Sequence, residues 1–270
     1  MYFQLKSYLT FLFRSQNQHG LHSPFVYDLV TKCFYDRSDY KDYKLIKNYR
    51  NDLLSNKDQI EVKDFGAGSR VFKSNLRPVF SIAKNAGITL HRAKLLYRIT
   101  NYLNIKNALE LGTSLGIASS AIASNRTTQL ITVEGCEETA RIARQQIKKY
   151  DLNNIQLIKA QFETAISQLS SNIEQQTTNN KPQTSEKFDL IYFDGNHQKQ
   201  ATLDYFSKLL PTAHNNSVFI FDDIHWSPEM EEAWEEIKSN PKVQVTIDNF
   251  QWGLVFFRKE QAKQHFTIRV

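Results

Sequence analysis

Two apolar runs in this chain end in carboxylates that could share one site. FDLIYFDGNHQKQATLDYF reaches Asp194 with His197 three residues later, and SVFIFDDIHW reaches Asp222 and Asp223. Short apolar runs of this kind suit buried parallel strands, whose C-terminal tips face the ligand crevice of an open sheet. Carboxylates gathered there would repel one another. A hard divalent cation such as Mg²⁺ relieves the repulsion and keeps waters that substrate oxygens can replace. His197 could serve as the proton acceptor. The plainer alternative is that these aspartates cap the turns behind them, and that His225 and Trp226 pack the rim of a site.

A second constellation precedes it. In NALELGTSLGIASSAIA a strand ends in Glu110, a turn carries Gly112 and Gly116, and a helix of small residues follows. Glycines let backbone approach a ligand and let helix and strand pack tightly. Glu110 could hold a cationic amino group or organise the loop. The next strand, in ITVEGCEETARIA, ends in Glu134, roughly 20 residues on, where an acid can accept both ribose hydroxyls. Alone, the glycines read as a tight β-to-α turn and Glu134 as an acid at a helix start. Together they favour a nucleoside ligand. The Gly-rich VKDFGAGSR (Val62–Arg70) imitates such a loop, but no convincing strand precedes it and no acid follows at the right distance. It reads as a lid or structural turn.

The elements that must position these residues alternate. Strands are expected at Asn107–Leu111, Gln129–Glu134, Ile155–Ala160, Phe188–Asp194 and Ser217–Asp222, with helices such as Glu137–Tyr150 and Ala201–Leu210 between them. That order argues for a parallel sheet covered by helices on both faces. Gln244–Ile247 and Gly253–Arg258 would add an antiparallel hairpin at one edge. Residues 1–85 show helical spacing and no strand alternation. Phe3, Leu5, Tyr8, Leu9, Leu12 and Phe13 would form one apolar helix face, and Ser23-Pro24 would cap and open another helix. Ser170–Lys187 is polar and reads as a long loop. The division expected is an N-terminal helical region over 1–85, serving as substrate lid or oligomerisation element, and a catalytic domain over 86–270.

From AGITLHRAKLLYRITNYLNIKNALELGTSLGIASSAIA onward, over roughly residues 87–258, the sequence resembles the class I S-adenosylmethionine-dependent methyltransferases. Within them it is similar to the catechol-type and the sugar and macrolide O-methyltransferases. The resemblance implies an α/β Rossmann-like fold with a mostly parallel sheet, and a cofactor site lined by Glu110, Gly112, Thr113, Ser114, Gly116, Glu134 and Asp194. Where the family usually has a Gly-Asp-type turn, this chain has Ala160-Gln161-Phe162. Gln161 could still bond the adenine and Phe162 pack on it. Asp194, Asp222 and Asp223 match the metal positions, with Asp223 where Asn is common. His197 stands where many relatives have a catalytic Lys, in the Asp-Gly-x-His form of the sugar and macrolide enzymes, where His is the base. The implied reaction is O-methylation of a small hydroxylated acceptor, with S-adenosylmethionine as donor and a divalent metal assisting.

Bulk properties narrow the alternatives. The net charge of +6 is carried by scattered basic residues, which disfavours nucleic acid as partner, and no Asn-Pro-Pro-Tyr-like motif is present. Mean hydropathy is −0.49, and no apolar run is long enough for a transmembrane helix. No signal peptide is evident. Cys33 and Cys136, without a CxxC pair, fit a reducing cytoplasm and no disulfide framework. The apolar N-terminal helix could meet a second subunit or a membrane surface. Two further readings stay open: metal-independent methylation of another nucleophile, and a catalytically silent binding module of the same fold.

Overall fold

The computed structural model describes residues 2–63, 65, 74–177 and 187–270. In chain order the helices and strands are α1 (Tyr2–Arg14), α2 (Pro24–Leu29), α3 (Tyr43–Ser55), β1 (Gln59–Glu61), β2 (Leu76–Pro78), α4 (Val79–Asn85), α5 (Leu90–Tyr102), β3 (Asn107–Leu111), α6 (Ile117–Ala123) and β4 (Gln129–Glu134). They continue with α7 (Glu137–Lys149), β5 (Ile155–Lys159), α8 (Phe162–Thr177), β6 (Leu190–Phe193), α9 (Lys199–Leu209), β7 (Val218–Asp222), α10 (Pro228–Ser239), β8 (Val245–Asp248), β9 (Trp252–Phe256) and β10 (Gln264–Thr267). The elements fall into two compact units.

One unit is Asp36–Ala165. Its strands β3, β4 and β5 are parallel, with Glu110 in register with Thr132 and Glu134 with Lys159. Every residue of β3 after Asn107 is buried, the near-continuous burial of a strand covered on both faces. α7 has Glu137 and Glu138 in its first turn and Lys148 and Lys149 in its last, matching the helix dipole at both ends. β1 and β2 pair antiparallel in a small sheet of their own. Residues 1–85 are therefore not purely helical. These strands are only three residues long, too short for period-two alternation to stand out.

The other unit joins the chain up to Tyr35 with the chain from Ile166 onward. β6 and β7 are parallel and almost wholly buried. β9 runs antiparallel between β7 and β8, so the expected hairpin forms, but β10 adds a parallel strand beyond β8. β10 (QHFT) carries no apolar run to announce it. Ser23 caps α2 by accepting the Val26 N–H, with Pro24 opening the helix as expected.

Three expectations are corrected. α8 continues to Thr177, so the first half of the polar stretch Ser170–Lys187 is helix; residues 178–186 lie outside the described residues. Ser, Asn and Gln in that half do not forbid helix, and none of it is Gly or Pro. VKDFGAGSR is preceded by a strand, β1, and lies mostly outside the described residues. The face of α1 that turns inward carries Ser7 and Phe11, whereas Leu5, Tyr8, Leu9 and Phe13 are exposed.

Gly253 shows how closely the second unit is packed. It pairs with Phe221 and Asp248, and a Cβ placed on it would sit 2.6–2.9 Å from the indole ring of Trp234 on α10. Gly253→Ala should therefore cost about 1–3 kcal/mol through overpacking. Thermal unfolding would read this as a Tm several degrees lower, and an unchanged Tm would show that Trp234 moves aside freely.

Candidate cofactor and acceptor sites

The turn after β3 is built by unusual backbone. Gly112 has φ 110°, Ser114 φ 48° and Gly116 φ 80°. At Gly116 the left-handed conformation disfavours any side chain, and a Cβ would collide with the hydroxyl of Tyr49. That hydroxyl donates to the Leu115 carbonyl at 3.0 Å. Gly116 thus makes room for a core tyrosine from α3. Nothing in the local sequence pairs Tyr49 with this glycine.

Glu134 ties the turn down. One carboxylate oxygen accepts the Ser114 N–H at 2.7 Å, and the other accepts the Cys136 N–H at 2.9 Å. Burial lifts its pKa above the usual carboxylate range, against the pull of those N–H donors. The Gly135 N–H and the Thr139 side chain lie at the same carboxylate. The Phe65 ring lies against Gly135, and the Lys63 N–H donates to the Cys136 sulfur at 3.4 Å, so the chain beside β1 is moored to the same turn. Gln161 is exposed and Phe162 half-buried where β5 passes into α8, and Ala160 N–H donates to the Glu134 carbonyl at 3.1 Å.

Glu110 lies behind the turn and is fully buried. One of its oxygens accepts both the Ser119 hydroxyl and the Thr132 hydroxyl, the latter at 2.6 Å; the other oxygen is buried without a hydrogen-bond partner. Thr132 has one proton, already given to Glu110, so Thr113 must donate in the 2.6 Å contact between their hydroxyls. Thr113 is buried as well. Of the two roles open to Glu110, these bonds fit organising the loop.

In the other unit, Asp194 follows β6 and His197 follows Asn196, whose φ of 53° turns the chain and whose side-chain amide donates to the Tyr205 hydroxyl at 3.0 Å. The His197 ring centroid lies 6.3 Å from that of Trp226. Asp222 is the buried last residue of β7, in register with Trp252, while Asp223 enters a turn at φ 53° and donates its N–H to the Gln251 carbonyl. Among the described residues, no group of three or more His, Cys, Asp or Glu side chains is arranged to hold a metal ion. Asp194, Asp222 and Asp223 are therefore not drawn into a ligand set.

A cleft of about 380 Å³ opens in this unit, a size ordinary for small-molecule sites. Gln4, Leu5 and Tyr8 of α1 form one wall; Asp223, His225 and Trp226 form another, closed by Phe250 and Gln251. Trp252 is fully buried, its ring 6.0 Å from that of Tyr192. Tyr8 meets Phe250 edge-on at 4.8 Å, and His225 stacks on Phe250 at 5.1 Å. The sequence singled out neither Phe250 nor the two carboxylates that hold His225. Those carboxylates lie 6 and 23 positions further along the chain.

Residues 109–224 match the family model described as "Methyltransferase domain". Solved structures share the fold over most of the chain. A Podospora anserina methyltransferase with S-adenosylhomocysteine bound has a TM-score of 0.56 at 12% identity, covering 89% of this chain and 98% of that one. A Streptomyces achromogenes O-methyltransferase of tomaymycin synthesis, in complex with S-adenosylmethionine, has 0.54 at 14% identity, covering 90% and 99%. The fold is thus α/β and Rossmann-like, with N-terminal helices, mostly parallel strands and antiparallel strands near the C-terminus. No curated protein matches the sequence.

Burial pushes the Glu110 carboxyl up to about 7, outweighing the hydroxyls of Ser119 and Thr132, which lower it. A carboxyl raised in the folded state from its ordinary 4.5 holds its proton longer than in the unfolded chain. Its contribution is therefore neutral below pH 4.5, turns unfavourable as pH rises, and is fully unfavourable above pH 7. Relative to wild type, Glu110→Gln should gain stability across that window, on the order of 3 kcal/mol. Denaturant titrations at either end of the window would measure it, and a pH-independent difference would show that Glu110 stays ionised.

Proposed function

We propose that the chain transfers the methyl group of S-adenosylmethionine to a hydroxyl oxygen of a small molecule, with His197 as general base. The observation carrying the donor half is Glu134: a half-buried carboxylate at a strand tip that fixes the Ser114 turn, where an acid can meet ribose hydroxyls. Gly112, Thr113, Ser114 and Gly116 would approach the donor through their backbone, while Gln161 and Phe162 would meet the adenine. The acceptor would occupy the cleft beside Trp226, the residue whose ring neighbours His197.

S-adenosylmethionine supplies a methyl group already electrophilic on its sulfonium, so what the protein adds is alignment and proton removal. His197 accepts the hydroxyl proton. The acceptor oxygen forms a bond to the methyl carbon, and the carbon–sulfur bond breaks with its electron pair going to sulfur. Asp194 is assigned to position the base and donor at the tip of β6. The carboxylates as arranged do not fit a divalent metal, so no step is routed through one. The metal-assisted reading predicts turnover that chelator abolishes and Mg²⁺ restores; the reading preferred here predicts turnover indifferent to both.

Two outcomes follow. Calorimetric titration with S-adenosylmethionine should show binding by wild type and at least a tenfold weakening in Glu134→Ala, the cost of losing a charged acceptor. Absence of binding by wild type would overturn the donor assignment. His197→Ala should lower kcat by roughly 10²–10⁴ with donor affinity unchanged. A small effect on kcat would leave substrate alignment as the main source of rate and remove the base.

A further inference from the structure

The helix α1 is built inside out. The residues it buries are Ser7 and Phe11, while Leu5 (59%), Leu9 (48%) and Phe13 (91%) stand exposed, with Tyr8 (42%) beside them. Leu5, Leu9 and Phe13 follow one another at four-residue intervals, so they form a continuous apolar stripe roughly 12 Å long. One position further round, Lys6, Thr10 and Arg14 form a parallel polar stripe, all three exposed. No Asp or Glu occurs anywhere before Asp28. An apolar stripe flanked by cations without any acid is the pattern of a helix that lies in a membrane interface.

We infer that α1 docks on an anionic lipid surface, Leu9 and Phe13 entering the headgroup–acyl boundary while Lys6 and Arg14 pair with lipid phosphates. Among the described residues no helix is long and apolar enough to cross a membrane, so the contact is peripheral. Charge decides the occupant. Two copies of this chain meeting along the stripe would bring two Lys6 and two Arg14 together with no acid on either helix, whereas an anionic surface neutralises them. Basic stems can lie along apolar surface with their charges at phosphate depth. Leu5 and Tyr8 also line the cleft, so docking would set the mouth of the cleft at the headgroup layer.

The test is co-sedimentation of the full chain with vesicles of phosphatidylcholine alone or mixed with phosphatidylglycerol. It reads no turnover, so it stands apart from the methyltransferase reading. Wild type should pellet with the mixed vesicles only, and added salt should release it. Leu9→Ser with Phe13→Ser, both at exposed positions, should weaken partition roughly tenfold with the circular dichroism unchanged. Lys6→Glu with Arg14→Glu should abolish the preference for anionic vesicles. The inference is overturned by equal pelleting with both vesicle types, by none, or by full binding of the double serine variant. It is also overturned if sedimentation velocity without lipid finds a dimer that the serine variant disperses.

Discussion

The bond from the Ser114 N–H to the Glu134 carboxylate is the constraint on which the turn after β3 rests. It joins the first β-to-α turn to the tip of the neighbouring strand. Ser114 sits at positive φ, a conformation that costs energy for a residue with a side chain and persists only where its surroundings hold it. A charge-assisted bond at 2.7 Å is strong enough to do so. The other oxygen of Glu134 fastens the entry to α7 through Cys136, and Cys136 in turn moors the chain next to β1. One carboxylate therefore sets the positions of three chain segments before any ligand arrives.

Behind it, Glu110 shows a different use of the same functional group. Its bonds run inward, to Ser119 on α6 and Thr132 on β4, and through Thr132 to Thr113 in the turn. A network of this kind fixes side-chain rotamers from the core side, while Glu134 fixes backbone from the ligand side. Burial without a partner for the second oxygen makes the ionised form costly, and the hydroxyl donors offset only part of that. Two glutamates one strand apart thus differ in role because one holds backbone N–H groups at the edge of the turn and the other spends its bonds inside.

How much of this the sequence discloses depends on the range of each interaction. β3, β4, β7 and α7 lie within a residue or two of where apolar runs and charge placement put them, because burial on both faces and dipole matching are local signals. Ser23 and Pro24 likewise mark a helix start in two letters. Tyr49 against Gly116 is invisible locally, since the glycine answers to a residue 67 positions earlier. An apolar stripe on α1 says that the helix wants cover, not which cover it has, and Phe11 has its cover against Phe250. The three aspartates at strand tips are legible as positions, whereas their convergence depends on side-chain direction, which the pattern of a strand end does not encode.

The same limit bears on which histidine can act as a base. His197 and His225 each follow a strand tip within a few residues, and sequence alone ranks them only by resemblance. Structure separates them by their partners. His225 holds Glu231 with Nδ1 at 2.6 Å and Asp248 with Nε2 at 3.0 Å. Only an imidazolium can donate from both nitrogens. Burial draws its pKa down, but the two carboxylates outweigh that and leave it raised. A ring committed to two carboxylates and stacked on Phe250 has no nitrogen left for a substrate proton, and its charge would have to be lost first. It serves instead to clamp the Trp226 loop between the start of α10 and the end of β8. His197 carries no such pair of carboxylates among its described contacts, and its ring neighbours Trp226, which lines the cleft. The clamp on His225 is thus what leaves His197 as the proposed base.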